Sequence, residues 1–157
     1  MSLTITRLQP DSPEAELAAR WRYDAFFGDS GETFEASRAA LFDFLRRHEG
    51  YEIGLLAVCD GQPAGLCLFV REEVEPNPRP DLSPWLAALY VAPEFRKRGI
   101  GAALVRAIEA HARKVGTVTL HLYTSEAEGF YARLGWRMAG RFVQAGETFA
   151  LMARDIA

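Results

Sequence analysis

The residues of this chain best placed to do chemistry are Arg96-Lys97-Arg98-Gly99-Ile100-Gly101-Ala102. Two glycines there remove the Cβ atoms that would hold a ligand away from the backbone, and a long amphipathic helix is expected to start immediately after them. The first amides of a helix have no intrahelical acceptor and sit at the positive end of its dipole, so such a turn suits a phosphate or pyrophosphate. Arg96 and Arg98 add charge-assisted donors.

Two familiar phosphate-binding patterns do not fit. The dinucleotide fingerprint needs a third small residue where this chain has Leu104, and the nucleotide P-loop needs a Gly-Lys-Ser/Thr ending that is absent. A nucleotide-binding protein using the same turn would show ATP or NAD protection. The stretch Leu89-Tyr90-Val91-Ala92-Pro93-Glu94-Phe95-Arg96-Lys97-Arg98-Gly99-Ile100-Gly101 instead resembles the acetyl-CoA signature of the GNAT superfamily of N-acetyltransferases, with Arg96, Gly99 and Gly101 in its Arg/Gln, Gly and Gly/Ala places. A second stretch, Ala127-Glu128-Gly129-Phe130-Tyr131-Ala132-Arg133-Leu134-Gly135-Trp136, resembles the second GNAT signature, in which Phe-Tyr is followed by three residues and Gly-aromatic.

The resemblance implies acetyl-CoA as cosubstrate, with Arg96, Lys97, Arg98, Gly99, Ile100, Gly101 and Ala102 around the pyrophosphate and Leu89, Tyr90 and Val91 along the pantetheine arm. It implies Tyr131 as proton donor to the departing CoA sulfur. A phenol of pKa near 10 is protonated at neutral pH and suits that role, which a phenylalanine could not fill. Many family members place an asparagine seven residues before the tyrosine; this chain has Thr124, whose hydroxyl is the expected substitute. The implied fold is α/β (α+β): a mixed, largely antiparallel sheet of about seven strands with about four helices, its central parallel pair splayed at the cofactor. The implied reaction is direct acetyl transfer to a primary amine in a ternary complex. The acceptor is expected to be a small molecule rather than a protein amine, with the loop around Phe27 and Phe34 and the segment holding Glu72, Asp81 and Trp85 as acceptor-side candidates. Glu72, Glu73 or Asp81 would attract a cation or help remove its proton. A catalytically silent acyl-CoA-binding regulatory module is the alternative.

These residues need elements to hold them. An apolar run from Leu86 to Val91 reads as a buried strand closed by Pro93, and Ile100, Leu104, Ala107, Ile108, His111 and Val115 recur at helical spacing up to Gly116. Arg106, Glu109, Arg113 and Lys114 are assigned to the solvent side, with Glu109 and Arg113 spaced to pair. Before this unit come a strand over 3–8 and a helix from Glu14 to Phe27 with Asp11 or Ser12 as cap. A Thr33-capped helix from Phe34 to His48 follows, then a hairpin about Asp60-Gly61. After it come a strand over 117–123 and a short helix over 125–134. Thr124 or Ser125 is its expected cap, Glu128 stands where a capping box could close, and a last hairpin turns about Ala145-Gly146. A strand, crossover helix and second strand of this size make a right-handed parallel unit.

At 157 residues with 49% apolar content, the chain is expected to form one domain spanning 1–157, large enough to bury about 70% of its unfolded surface. A net charge of -3 argues against general nucleic-acid or membrane binding. The start lacks the apolar core of a signal peptide and no apolar run approaches about 18 residues, so a cytoplasmic monomer or homodimer is expected. Cys59 and Cys67 lie alone in apolar segments, as reduced buried thiols do, and no metal site is expected. His48, His111 and His121 are scattered and name no general base.

Overall fold

The computed structural model describes residues 1–47, 50–72 and 77–156. Seven strands form one sheet in the order β1-β2-β3-β4-β5-β7-β6. They are β1 (Leu3–Arg7), β2 (Ile53–Cys59), β3 (Gln62–Val70), β4 (Trp85–Val91), β5 (Thr119–Thr124), β6 (Arg137–Gln144) and β7 (Glu147–Asp155). Among the described residues four α-helices accompany them: α1 (Pro13–Arg22), α2 (Phe34–Leu45), α3 (Ile100–Lys114) and α4 (Glu128–Arg133). The β1/β2, β5/β7 and β6/β7 pairs are antiparallel, and β4 and β5 are parallel. This is the mixed, largely antiparallel sheet expected from the sequence.

The chain divides into two compact units, residues 1–68 with 88–108 and residues 69–87 with 109–157. In the first unit Ser12 caps α1 by accepting from Ala15 N–H (3.0 Å), with Pro13 at the first helical position, and Thr33 caps α2 through Ala36 N–H (3.1 Å). The helix expected to reach Phe27 changes character at Tyr23, where Tyr23–Phe27 form a π-helical turn. The second helix ends at Leu45, earlier than its expected end at His48, a residue outside those described. Asp60 and Gly61 both take positive φ (51° and 82°), the two-residue geometry whose twist matches the flanking strands of a hairpin. Core side chains here include Leu41, Leu66, Ile100, Leu104 and Val105.

Strands β3 and β4 are neighbours in the sheet and approach very closely at Gly65 in the first unit. A Cβ added to Gly65 would lie 2.5 Å from the Tyr90 carbonyl oxygen and 3.3 Å from Leu104 Cδ1, so only glycine allows this approach. Ala88, inside β4, takes φ +56°, a left-handed value rare for a non-glycine residue within a strand. Parallel pairing with β5 is made at Trp85↔His121, three residues before that irregularity.

In the second unit the ends of α3 and α4 are built alike. Gly116 (φ +84°) follows α3, with Gly116 N–H donating to Arg113 O (3.2 Å) and Thr117 N–H to Ala112 O (2.9 Å). Gly135 (φ +96°) follows α4, with Gly135 N–H donating to Ala132 O and Trp136 N–H to Tyr131 O (both 3.0 Å). Each is a Schellman cap, in which a left-handed glycine satisfies the last carbonyls. Trp136 belongs to that cap, and β6 starts at the next residue. The β6/β7 hairpin turns on Ala145 and Gly146, both at positive φ (52° and 77°), and the pairing slips between Met138 and Gly140.

The buried stripe of α3 differs from the expected one. Ile100, Leu104 and Ile108 are buried as predicted, but Val105, Glu109 and Ala112 are buried beside them, while His111 and Val115 are only half-buried. Glu109 is therefore an interior residue and does not belong to the solvent face.

Candidate functional site

The Gly-rich turn lies in the first unit. It begins where Pro93–Phe95 form a 3-10 turn after β4, continues through Lys97 at φ +63° and Gly99 at φ +80°, and enters α3 at Ile100. The first intrahelical bond runs from Ala103 N–H to the Gly99 carbonyl (3.0 Å), so Gly99 is the N-cap and the amides of Ile100, Gly101 and Ala102 precede the ladder. A Cβ added to Gly99 would meet no protein atom within 4 Å. Its positive φ, not crowding, demands glycine. Ile100 is buried and anchors the turn, whereas Arg96, Lys97, Arg98 and Gly99 are exposed and Gly101 and Ala102 half-exposed. These residues fit an anionic group such as the diphosphate of coenzyme A.

Arg96 is less free than the sequence implies. Its Nε–H donates to the Val91 carbonyl (2.8 Å) and its guanidinium lies 5.5 Å from the Tyr90 ring centre. Trp21 of α1 packs on the same ring, 5.6 Å between centres. Tyr90 thus joins α1, the end of β4 and the turn, and Leu89, Tyr90 and Val91 are each half-buried. Arg98 lies 5.5 Å from the Phe95 ring.

The candidate acceptor aromatics of this unit are also half-buried, each against an arginine. The Arg20 guanidinium is 3.7 Å from the Phe34 ring centre and that of Arg22 is 4.6 Å from Phe27. Arg22 in turn donates to the buried Ser37 hydroxyl (3.1 Å), and Tyr23 meets Phe34 edge-on (5.8 Å) and donates to Glu32 O (3.0 Å). Cation–π contacts of this kind hold the segment between α1 and α2 in shape.

In the second unit Thr124 and Tyr131 are tied through one residue. The Thr124 hydroxyl oxygen accepts from Ala127 N–H (3.0 Å), and the Ala127 carbonyl accepts from Tyr131 N–H (3.1 Å). Thr124 therefore caps the turn leading into α4. Glu128 does not close a capping box: it forms a bidentate pair with Arg141 (3.0 and 3.1 Å). The Tyr131 side chain is 6% exposed and meets Phe130 and Trp136 edge-on at 5.0 and 5.9 Å. In the Schellman cap Tyr131 and Trp136 occupy the two positions whose side chains commonly touch. The spacing of the second signature is thus the spacing of a helix stop.

Three acceptor candidates fall in this unit. Trp85 is fully buried, its indole N–H donating to Leu82 O (2.9 Å) and its ring against Tyr123 (4.5 Å). Asp81 is exposed and gripped by Arg79 (2.8 and 3.0 Å), which holds its carboxyl below the usual carboxylate range. Glu72 is exposed, and Glu73 lies outside the described residues. Tyr123, which the sequence did not single out, donates to Asn77 Oδ1 (3.0 Å) and packs edge-on against Phe142 (4.7 Å). Of the histidines, His111 packs edge-on against Phe69 (5.0 Å), and His121 is buried beside Trp85 with Nδ1 3.3 Å from Pro84 O, its pKa pushed down by that burial.

Residues 15–136 match the family model described as Acetyltransferase (GNAT) family. The chain belongs to the GNAT family of acetyltransferases. This GNAT chain has the fold of an aminoglycoside 6'-N-acetyltransferase solved with coenzyme A, at 17% identity and a TM-score of 0.77 over 98% of this chain and 97% of that one. It is similarly close to an N-acetyltransferase from Staphylococcus aureus (18% identity, TM-score 0.76, 100% of both chains). A GCN5-related N-acetyltransferase from Ralstonia eutropha shares 27% identity over 91% of this chain and 97% of that one, with a TM-score of 0.67. No curated protein matches the chain significantly. Among the described residues no group of three or more His, Cys, Asp or Glu is arranged to hold a metal, and no helix is long and apolar enough to cross a membrane.

Proposed function

We propose that this GNAT acetyltransferase moves the acetyl group of acetyl-CoA directly to a primary amine of a small molecule. The observation that carries the reading is the Gly99 N-cap: the amides after it precede the helical ladder, and a Cβ built on Gly99 itself would meet no protein atom within 4 Å. Those amides, with Lys97 and Arg98 beside them, would hold the diphosphate. The backbone of Leu89, Tyr90 and Val91 and the hydroxyl proton of Thr124 would hold the pantetheine arm. Acetyl-CoA supplies an activated thioester. Transfer forms a C–N bond and breaks the C–S bond; the amine gives up a proton to water, and Tyr131 protonates the sulfur as it leaves. Solvent then restores the phenol. A small acceptor is supported by the half-buried Phe27 and Phe34 of the first unit and by fold neighbours that are aminoglycoside acetyltransferases.

The test follows CoA thiol release from acetyl-CoA with kanamycin, spermidine, a lysine peptide and a peptide with a free N-terminus. Turnover with the small amines is expected. Preference for either peptide would overturn the small-molecule reading, and CoA binding without turnover would favour a silent binding module. In the same assay Tyr131→Phe is expected to lower kcat about a hundredfold or more with little change in KM for acetyl-CoA. Undiminished kcat would remove Tyr131 from the mechanism.

A further inference from the structure

Helix α4 has only six residues and carries Tyr131, so its own backbone bonds are too few to fix its orientation. Something outside the helix must hold it, and a buried carboxylate on α3 is placed to do so. Glu109 is 4% exposed. Its Oε2 accepts from the Trp136 indole N–H (3.0 Å) and lies 3.4 Å from Arg154 Nε. Arg154 also donates from Nη1 to the Leu134 carbonyl (2.9 Å). The two groups tethered to Glu109, Trp136 and Arg154, grip the chain on either side of Gly135. Gly135 must lack a side chain for this to happen, since a Cβ there would lie 2.0 Å from Arg154 Nη1. Trp136 in turn donates its backbone N–H to the Tyr131 carbonyl and rests its ring on the Tyr131 ring.

A buried carboxylate is costly unless fully paired, and an apolar residue of similar size would pack at this position without that cost. What leucine could not supply is a directional grip on the α4 cap. We propose that Glu109 is a positioning residue: through Trp136 and Arg154 it fixes the α4 cap and so the direction of the Tyr131 hydroxyl. This rests on Tyr131 acting as the proton donor. Its consequence is that Glu109 contributes to kcat only through Tyr131.

The test is a double-mutant cycle of Glu109→Gln with Tyr131→Phe. It is read as CoA release from acetyl-CoA with the fastest amine of the panel above, or to water if no amine is acetylated. Glu109→Gln keeps an acceptor for Trp136 but replaces the charge facing Arg154 with an amide. It is expected to lower kcat about tenfold, with KM for acetyl-CoA changed less than about twofold, and to have almost no further effect once Tyr131 is phenylalanine. Trp136→Phe, which keeps a ring on Tyr131 and removes the N–H, is expected to behave the same way and decides the matter if Glu109→Gln does not fold. Equal losses with and without the Tyr131 hydroxyl, a rise in KM matching the fall in kcat, or an unchanged kcat in both variants would overturn the positioning role. An undiminished kcat for Tyr131→Phe alone sinks the proton-donor reading first, and is seen separately.

Discussion

At Gly99 a single dihedral carries the functional reading. A residue with a Cβ at φ +80° costs about 1–2 kcal/mol of backbone strain, but its side chain would point into space clear of protein atoms and leave the fold intact. Gly99→Asp is therefore expected to yield a folded protein that no longer binds coenzyme A, because a carboxylate then occupies the place proposed for the diphosphate. Isothermal titration with coenzyme A checks this, and unchanged affinity would remove the turn from the binding site. Buried sulfur gives a second prediction at this scale. Cys67 is fully enclosed, burial pushes its thiol pKa up, and Cys59 is buried too. Both should resist a thiol reagent in the native protein and react when it is unfolded. The glycine at the start of α3 and the two buried cysteines were legible in the sequence because type and local spacing define them, whereas Tyr131 was singled out by a family resemblance. The role of Glu109 was not legible. Its position four after Val105 and three before Ala112 fits the buried stripe, but a carboxylate reads as solvent-facing until a partner such as Trp136, 27 residues away, is known.

Among the elements, the pair β3 and β4 is set by a glycine that sequence patterning passes over. Gly65 lies inside an apolar strand run, and the reason for it, the Tyr90 carbonyl 2.5 Å from where a Cβ would stand, exists only once the strands pair. Gly65→Ala is expected to destabilise the fold by about 1–3 kcal/mol, since the obstructing atom is backbone and cannot rotate away. It is also expected to raise KM for acetyl-CoA by displacing Tyr90. Urea unfolding and initial-rate kinetics measure the two effects; unchanged values in both would mean that β4 is not held where it matters. Helix caps and hairpin turns were read well in advance, because Ser12, Thr33, Asp60-Gly61 and Ala145-Gly146 act on backbone a few residues away. The π-helical turn after Arg22 and the left-handed Ala88 have no such local signature.

For the whole molecule, pH and ligand are the two levers on stability. His121 is neutral-favouring when folded because burial depresses its pKa, whereas the unfolded chain takes up a proton near pH 6.5. Its contribution to stability is therefore full above about pH 6.5 and is lost as pH falls through the lower, folded pKa. Arg137 and Arg79 reinforce the shift, and the Pro84 carbonyl and Asp81 oppose it. His121→Gln should flatten the fall in melting temperature between pH 7 and pH 5; an identical slope would show that other groups set it. Coenzyme A at a hundred times its Kd should stabilise the native protein by about 2.7 kcal/mol, seen as a rise in melting temperature that Gly99→Asp abolishes.

The sequence by itself determined the α/β class, most strand and helix positions and the Gly-opened helix start, and the family entered through a resemblance of two motifs that the family model then matched. The structural features among these are locally encoded. Each of these follows from short-range rules, in which side-chain period, glycine placement and capping residues act within a few positions of one another. The tertiary structure alone decided which half-apolar residues are enclosed and which charges are committed. Trp85 faces no solvent, Asp81 is held by Arg79, and Glu109 is turned inward to Trp136 and Arg154. Burial and pairing depend on residues that meet only after the chain has folded, and no local pattern encodes them.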